Sequence, residues 1–492
     1  MSQTQKTNWG QFIPLVTVFF FWGFVASSND ILIPVFKKAF DLSQGESQFV
    51  SLAFYIAYTV GSIIYMIVSA IMGKDLINKI GYKNSLSLGL LISALGTLLF
   101  IPAANLESYP LMLAGLFTVA LGFSLQQTVA NPLAIALGNP STGSQRLTLA
   151  GGINNLGTTI GPLIVAYAIF GSASNGDSNL SIEAVKTPYL CLGLAFLAVA
   201  IFLKFSSLPS HPEQDVIEEE EIYFGLDNEK KPESIKKVDR SSALKYPQLI
   251  LGMIAIFLYV GVEVSTASNL PAYMENELGF TISQVTPYVS LYWASMMIGR
   301  WGGAAEAFGL DKSKTMVLKF VAPYLAFGVF LLVNFLAGHE LKPFLFYAVF
   351  ILVLIVADIS TKGNPARMLL TFSAIGIIAL LIGMNTTGLV SVYAITSVGL
   401  FCSTLWPCIF ALAINGLGKN TSQGSSFLIM MIMGGGVVSY LQGMLADATS
   451  IHLSYIVGVI CFAYLVFYAI ISPILLKKQG INLDEVKSEG GH

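Results

Sequence analysis

Two acids and a small group of amides stand where so apolar a chain has least use for them. Asp30 falls inside a long apolar run near the start, and Glu263 inside another just past the middle. A carboxyl taken out of water disfavours its charged form, so a group at that depth can bind and release a proton near neutrality. Ionisable residues inside a membrane are functional by default. The plainer alternative is a structural hydrogen bond to a neighbouring amide. Between Leu125 and Pro162 the chain reads LQQTVANPLAIALGNPSTGSQRLTLAGGINNLGTTIGP, with Gln126, Gln127, Asn131, Asn154 and Asn155 in it. This is two membrane helices joined by a polar hairpin at 139–146. Counting 1.5 Å per residue from that hairpin places Gln127 and Asn154 roughly 12–18 Å deep, near the middle of a core about 30 Å thick. An unpaired amide is costly there. One alone is accounted for by interhelical bonding; several together imply a lined polar cavity. Gly151, Gly152, Gly157 and Gly161 give the second helix a small-residue face for close approach.

The elements that hold these groups are membrane spans. Of 492 residues, 54% are hydrophobic and only 11% charged, well below the quarter charged that soluble domains carry, so the chain is integral to a lipid bilayer. A net charge of −2 without a basic patch gives no reason to expect nucleic acid. Cys191, Cys402, Cys408 and Cys461 lie in apolar runs without metal-ligand spacing, and the four histidines are scattered, so no metal or cofactor is expected. No cleavable signal is visible, and the first span should remain in the mature protein.

Apolar runs of spanning length occur at about 12–37, 48–72, 84–103, 110–137, 147–171 and 187–207. After a polar stretch, further runs follow at about 247–274, 283–307, 317–337, 342–357, 367–385, 390–415, 424–446 and 453–476. The expectation is an all-α polytopic protein of fourteen spans. Residues 1–207 form a first six-helix bundle, 208–246 a cytoplasmic loop, 247–476 a second bundle, and 477–492 a cytoplasmic tail. With the N-terminus in the cytoplasm, only Lys37, Lys38, Lys186 and Lys342 of the 26 basic residues fall outside, so both termini are expected to be cytoplasmic. The halves resemble each other: FWGFVASSN (21–29) against VGVEVSTASN (260–269), and SQR (144–146) against SQG (422–424). Carriers built from repeats bind substrate between the halves at the midplane.

The stretches QTVANPLAIALG, SQRLTLAGGINNLGTTIGP, YVGVEVSTASNL and TSQGSSFLIMMIMGGGVV resemble the fucose–proton symporter family of the major facilitator superfamily, closest to its bacterial glucose/galactose branch. The resemblance implies two six-helix bundles rocking about a central sugar site, with the runs at about 317–357 as an inserted two-helix hairpin. It matches Asp30 to the family's acid in the first span, and Glu263 is typical of the glucose/galactose branch. Three positions depart from the fucose carriers. Gln127 stands where they have a proton-linked glutamate, Gly151 where they have a glutamine, and Trp406 where they have a tyrosine.

A sugar site needs amides or carboxylates for hydroxyl pairs and an aromatic face for the C–H side of the ring. Gln127, Asn131, Asn154, Glu263, Asn269 and Asn415 offer the first, and Trp406 and Trp22 the second. Pro132, Pro162, Pro271 and Pro407 interrupt helical bonding in both halves, as suits helices that bend. Arg300 reads as an anchor snorkelling to the cytoplasmic face. Glu306 and Asp358 sit near helix ends, and Asp75 in a degenerate loop motif at 73–83. The function expected is import of a hexose across a bacterial inner membrane by a monomeric secondary transporter. Glu263 and Asp30 would couple it to protons, with sodium as the alternative ion. An uncoupled carrier, or fucose or an amino sugar as cargo, are the alternatives. A membrane enzyme would show His and acid clusters at one face, and none occurs.

Overall fold

The computed structural model describes residues 8–72, 80–137, 143–170, 182–209, 242–303, 312–361, 364–417 and 421–481, and among these there are helices but no strands. The loop motif with Asp75, Glu306, Lys362 and most of the central loop lie outside the described residues. A helix satisfies its backbone within itself, which is why apolar runs take this form in lipid.

The first half comprises α1 (Trp9–Ala39), α2 (Gln44–Ser47), α3 (Phe49–Met72), α4 (Tyr82–Leu98), α5 (Phe100–Asn105), α6 (Tyr109–Ala136), α7 (Gly143–Phe170) and α8 (Lys186–Phe205). The second opens with α9 (Pro247–Leu278) and α10 (Ile282–Gly303). A hairpin of α11 (Lys312–Leu336), α12 (Lys342–Leu345) and α13 (Ala348–Thr361) follows. The half is completed by α14 (Pro365–Asn385), α15 (Gly388–Cys402), α16 (Leu405–Ile414), α17 (Thr421–Met430), α18 (Gly434–Ala448), α19 (Ile451–Ser454) and α20 (Ile456–Lys477).

Twelve helical segments among the described residues are long and apolar enough to cross a membrane. The expected fourteen are reached only by adding α7 and α10, which are 28 and 22 residues long but more polar. Their polarity has a structural cause. Asn155, Thr158 and Thr159 of α7 and Thr286, Ser290 and Ser295 of α10 are buried. These two helices pack on one another across the halves, where Ser290 Oγ donates to the Thr159 carbonyl at 2.7 Å. A helix enclosed by protein can be more polar than one facing lipid.

The hairpin belongs to the second half. α11 packs on α10, and α13 on α14 and α15. Tyr347 Oη and Ser295 Oγ are 2.7 Å apart, and the Tyr393 hydroxyl donates to the Pro343 carbonyl. Lys319 and Asp358 pair between the two arms at 3.5 Å.

The glycines expected to allow close approach divide between two neighbours. A Cβ on Gly157 would lie 2.1 Å from the Phe20 carbonyl oxygen, so α7 crosses α1 backbone to backbone. Gly151 and Gly152 instead face Arg300 and the Trp301 indole of the other half. The GGG at 434–436 splits likewise. A Cβ on Gly434 would meet the Phe257 carbonyl oxygen at 1.9 Å, and one on Gly436 would meet Leu52 and Ser51 of the first half.

The two halves are latched at the end that carries the α1–α2 connection. Asp447 accepts hydrogen bonds from the backbone N–H groups of Gln44 (2.8 Å) and Gly45 (2.6 Å). Lys38 pairs with Glu275 at 3.1 Å, and Phe49 stacks on Tyr440 with ring centroids 5.0 Å apart.

Candidate functional site

Both intramembrane acids meet α10. Asp30 is buried, and its Oδ2 accepts a 2.7 Å hydrogen bond from the indole Nε1 of Trp293 in the opposite half. The preceding residue, Tyr292, donates from its hydroxyl to the backbone carbonyl of Glu263 at 2.7 Å. Glu263 stands midway along α9, half-buried, with Arg300 in electrostatic reach and Tyr259 beside it one turn earlier. The Tyr259 hydroxyl is close to that carboxyl without closing a hydrogen bond of full geometry.

Arg300 turns into the interface rather than out towards water. Its Nε donates to the Ser403 carbonyl at 3.3 Å and its terminal nitrogen to Asn155 Oδ1 at 3.2 Å. The first bond follows from Pro407, which has no N–H to give the carbonyl four residues before it. The chain turns at Ser403 and Thr404, α16 begins afresh, and Arg300 takes the orphaned oxygen. Arg300 is therefore an anchor between halves, not a snorkelling side chain.

From Glu263 a line of polar and aromatic groups runs both ways. Trp406 is partly exposed, with its ring 6.2 Å from that of Tyr259. On the other side, Tyr55 of α3 lies in electrostatic reach of Glu263 and stacks on Tyr58, with centroids 6.2 Å apart. The Tyr58 hydroxyl in turn accepts from Gln127 Nε2 at 3.2 Å. Asn131 is partly exposed one turn beyond Gln127. Asn154, also partly exposed, donates to the Phe19 carbonyl at 2.9 Å, joining α7 to α1. Gln127, Tyr58, Tyr55, Glu263, Tyr259 and Trp406 thus form one band across the two halves. Such a band offers hydroxyls, an amide and a carboxyl for hydrogen bonds, and an indole face for apolar contact.

Other expected residues stand elsewhere. Trp22 is not an open platform: it is buried, packed on Phe19, and its Nε1 donates to Gln126 Oε1 at 2.9 Å. Gln126 passes the chain on to Ser93 Oγ at 3.1 Å, so this amide joins helices of one half. Asn269 is fully buried in the latch, where its Oδ1 accepts from Gln44 Nε2 at 2.9 Å. Asn415 caps the far end of α16, about 14 Å along from Trp406 by helical rise. Its carbonyl accepts from Gln248. Tyr55, Tyr58, Tyr292 and Trp293 were not foreseen, since an aromatic in an apolar run carries no sign of a polar partner. Deep polar groups without a partner include both side-chain atoms of Asn29 and the hydroxyls of Ser265 and Thr266. No group of three or more His, Cys, Asp or Glu able to hold a metal occurs among the described residues.

Two helical halves that meet on a polar band, with one acid buried and another half-buried, and that are latched at one end, define a membrane carrier of the two-bundle type. A family profile described as Major Facilitator Superfamily matches residues 15–363. The chain belongs to the major facilitator superfamily, and it is a transporter, not an enzyme. It is 34% identical over 472 residues to a glucose/galactose transporter of Brucella abortus biovar 1 (strain 9-941), covering 96% of each chain. It is 26% identical over 475 residues to the L-fucose-proton symporter of Escherichia coli (strain K12), covering 93% of this chain and 92% of that one. Among solved structures it is similar to the transporter FucP in the outward conformation, with a TM-score of 0.60 and 26% identity over 94% of this chain and 98% of that one.

Proposed function

We propose that the protein imports a hexose, glucose or galactose before fucose, by symport with protons. The observation that carries this reading is the band from Gln127 to Trp406 with Glu263 at its centre. A hexose presents adjacent hydroxyls and an apolar C–H face, and the band presents the complement of both. The glucose/galactose relatives support the cargo, and Gln127 in place of the fucose carriers' glutamate weighs against fucose. Gln127, Tyr58 and Glu263 would hold hydroxyls, with Trp406 against the ring. Asn131 and Asn154 would complete the polar lining.

Glu263 and Asp30 would be the proton carriers. Fourteen spans are counted by including α7 and α10, both termini face the cytoplasm, and the latched end then faces outward. The bias of Lys and Arg supports that orientation. The protein would work as a monomer in a bacterial inner membrane. Uptake of labelled sugars by purified protein in proteoliposomes, across a panel and with or without a protonophore, tests the whole reading. Accumulation of glucose or galactose that a protonophore abolishes is the expected result. Accumulation driven by a sodium gradient alone would reassign the ion. Transport of drugs or peptides but of no monosaccharide would overturn the cargo.

A further inference from the structure

The Trp293–Asp30 bond joins the two bundles at one of the proposed proton sites. An indole N–H can only donate, so Trp293 can serve the carboxyl only as an acceptor. Such a bond is stronger to a carboxylate than to a neutral carboxyl. It also belongs to one arrangement of the halves. Asp30 lies about 14 Å from the latched end of α1 by helical rise, nearer that end than the other. Trp293 lies on α10, which starts from the same end. Parting the halves there draws α1 away from α10 and breaks the bond.

The geometry points to Trp293 as a positioning residue that makes release of the Asp30 proton favourable only while the latch is closed. With the proposed orientation, the latched carrier gives up its proton to the cytoplasm. When the halves part on the outside the donor is lost, and Asp30 takes a proton up. The inference rests on the proposed proton coupling, and it adds the residue that ties protonation to conformation.

The surroundings of Asp30 leave this bond as its main polar tie. Tyr55 of α3 and Tyr292 of α10 stand in electrostatic reach, and Glu263 of α9 reaches the same two tyrosines. Beyond Arg146, the one titratable side chain of α7 is Tyr167, which is exposed. The titratable groups of α6 and α8 lie towards their ends, and Glu46 of α2 lies beyond α1.

Trp293→Phe keeps the ring and removes the donor. In proteoliposomes this variant should still exchange sugar across the membrane at equal pH. The inner pH needed for half-maximal concentrative uptake should rise by about one to two pH units, the size of a lost charge-assisted hydrogen bond. In an Asp30→Asn background the same substitution should move nothing further. Native accumulation with an unchanged profile in Trp293→Phe would overturn the inference while leaving the symport reading intact. If wild-type protein concentrates no sugar, it is that reading that fails. Should Trp293→Phe not fold, Asp30→Asn tests the same bond. It mimics the protonated state, so a buried Ser51→Cys at the latched end should label faster from outside in its presence. No change in that rate would count against the inference.

Discussion

Gln44 and Asn269, 225 residues apart, meet as a buried amide pair at 2.9 Å where the first half touches the second. Gln44 also accepts from Lys37 Nζ at 2.8 Å, and its backbone N–H is held by Asp447. Asn269 is therefore spent on closing one end of the carrier, although its place in a repeated motif suggested substrate. Alternating access requires that such contacts form in one state and break in the other.

Removing the Asp447 carboxylate should loosen that end. Two charge-assisted bonds are lost, but Asp447 is exposed, so the net effect is discounted to about 1 kcal/mol. In a background lacking the four native cysteines, Asp447→Ala should speed labelling of Ser51→Cys by an impermeant maleimide about fivefold. An unchanged rate would show that the latch is held elsewhere.

Glycine substitutions should separate packing from propensity. Gly157→Ala puts a methyl 2.1 Å from the Phe20 carbonyl oxygen, against backbone that cannot rotate away. It should cost about 1–3 kcal/mol or prevent folding, read as a lower melting temperature in detergent. Gly328→Ala, in the middle of α11 with nothing within 4 Å of the added carbon, should be neutral or stabilise by up to about 1 kcal/mol. Equal melting temperatures for the two variants would contradict the α1–α7 crossing.

Topology is tested by a single cysteine at position 362, between α13 and α14. On the proposed topology of fourteen spans with cytoplasmic termini, position 362 should be cytoplasmic. It should label only after the membrane is made permeable. Strong labelling from outside intact cells would exclude fourteen spans with cytoplasmic termini.

The fold was legible because apolar runs of spanning length stand out against a chain with few charges. The apolar runs at about 317–337 and 342–357 stand out for the same reason, and helices occupy both. The partners of individual polar residues were not legible, because they depend on helix rotation. Gln126 and Gln127 are neighbours in sequence, yet one joins Trp22 to Ser93 and the other meets Tyr58. Adjacent helical residues point about 100° apart, and no local pattern tells which direction holds the other half. Arg300 shows a further limit. Its destination was set by the proline in α16, more than a hundred residues later, whose effect on Ser403 appears only when the helices are side by side.

Gln127 offers no titratable group where the family resemblance leads one to expect an acid, so the proposed coupling group in the band is Glu263. Glu263 stands at the centre of the band, in reach of Tyr55 from one half and Arg300 from its own. Arg300 in turn is bonded to Asn155 across the interface. A change of charge at Glu263 is therefore felt by groups on both sides of the contact that must open. Protonation would also turn one carboxyl oxygen from acceptor to donor, changing which sugar hydroxyls it can serve. Glu263→Gln fixes the neutral arrangement and keeps a similar shape. A carrier that cannot cycle its proton still equilibrates cargo but cannot use the gradient. The variant should retain exchange within a few-fold of native protein while concentrative uptake falls to the level seen with a protonophore. Retained accumulation against a gradient would make Glu263 a binding residue and move the coupling to Asp30.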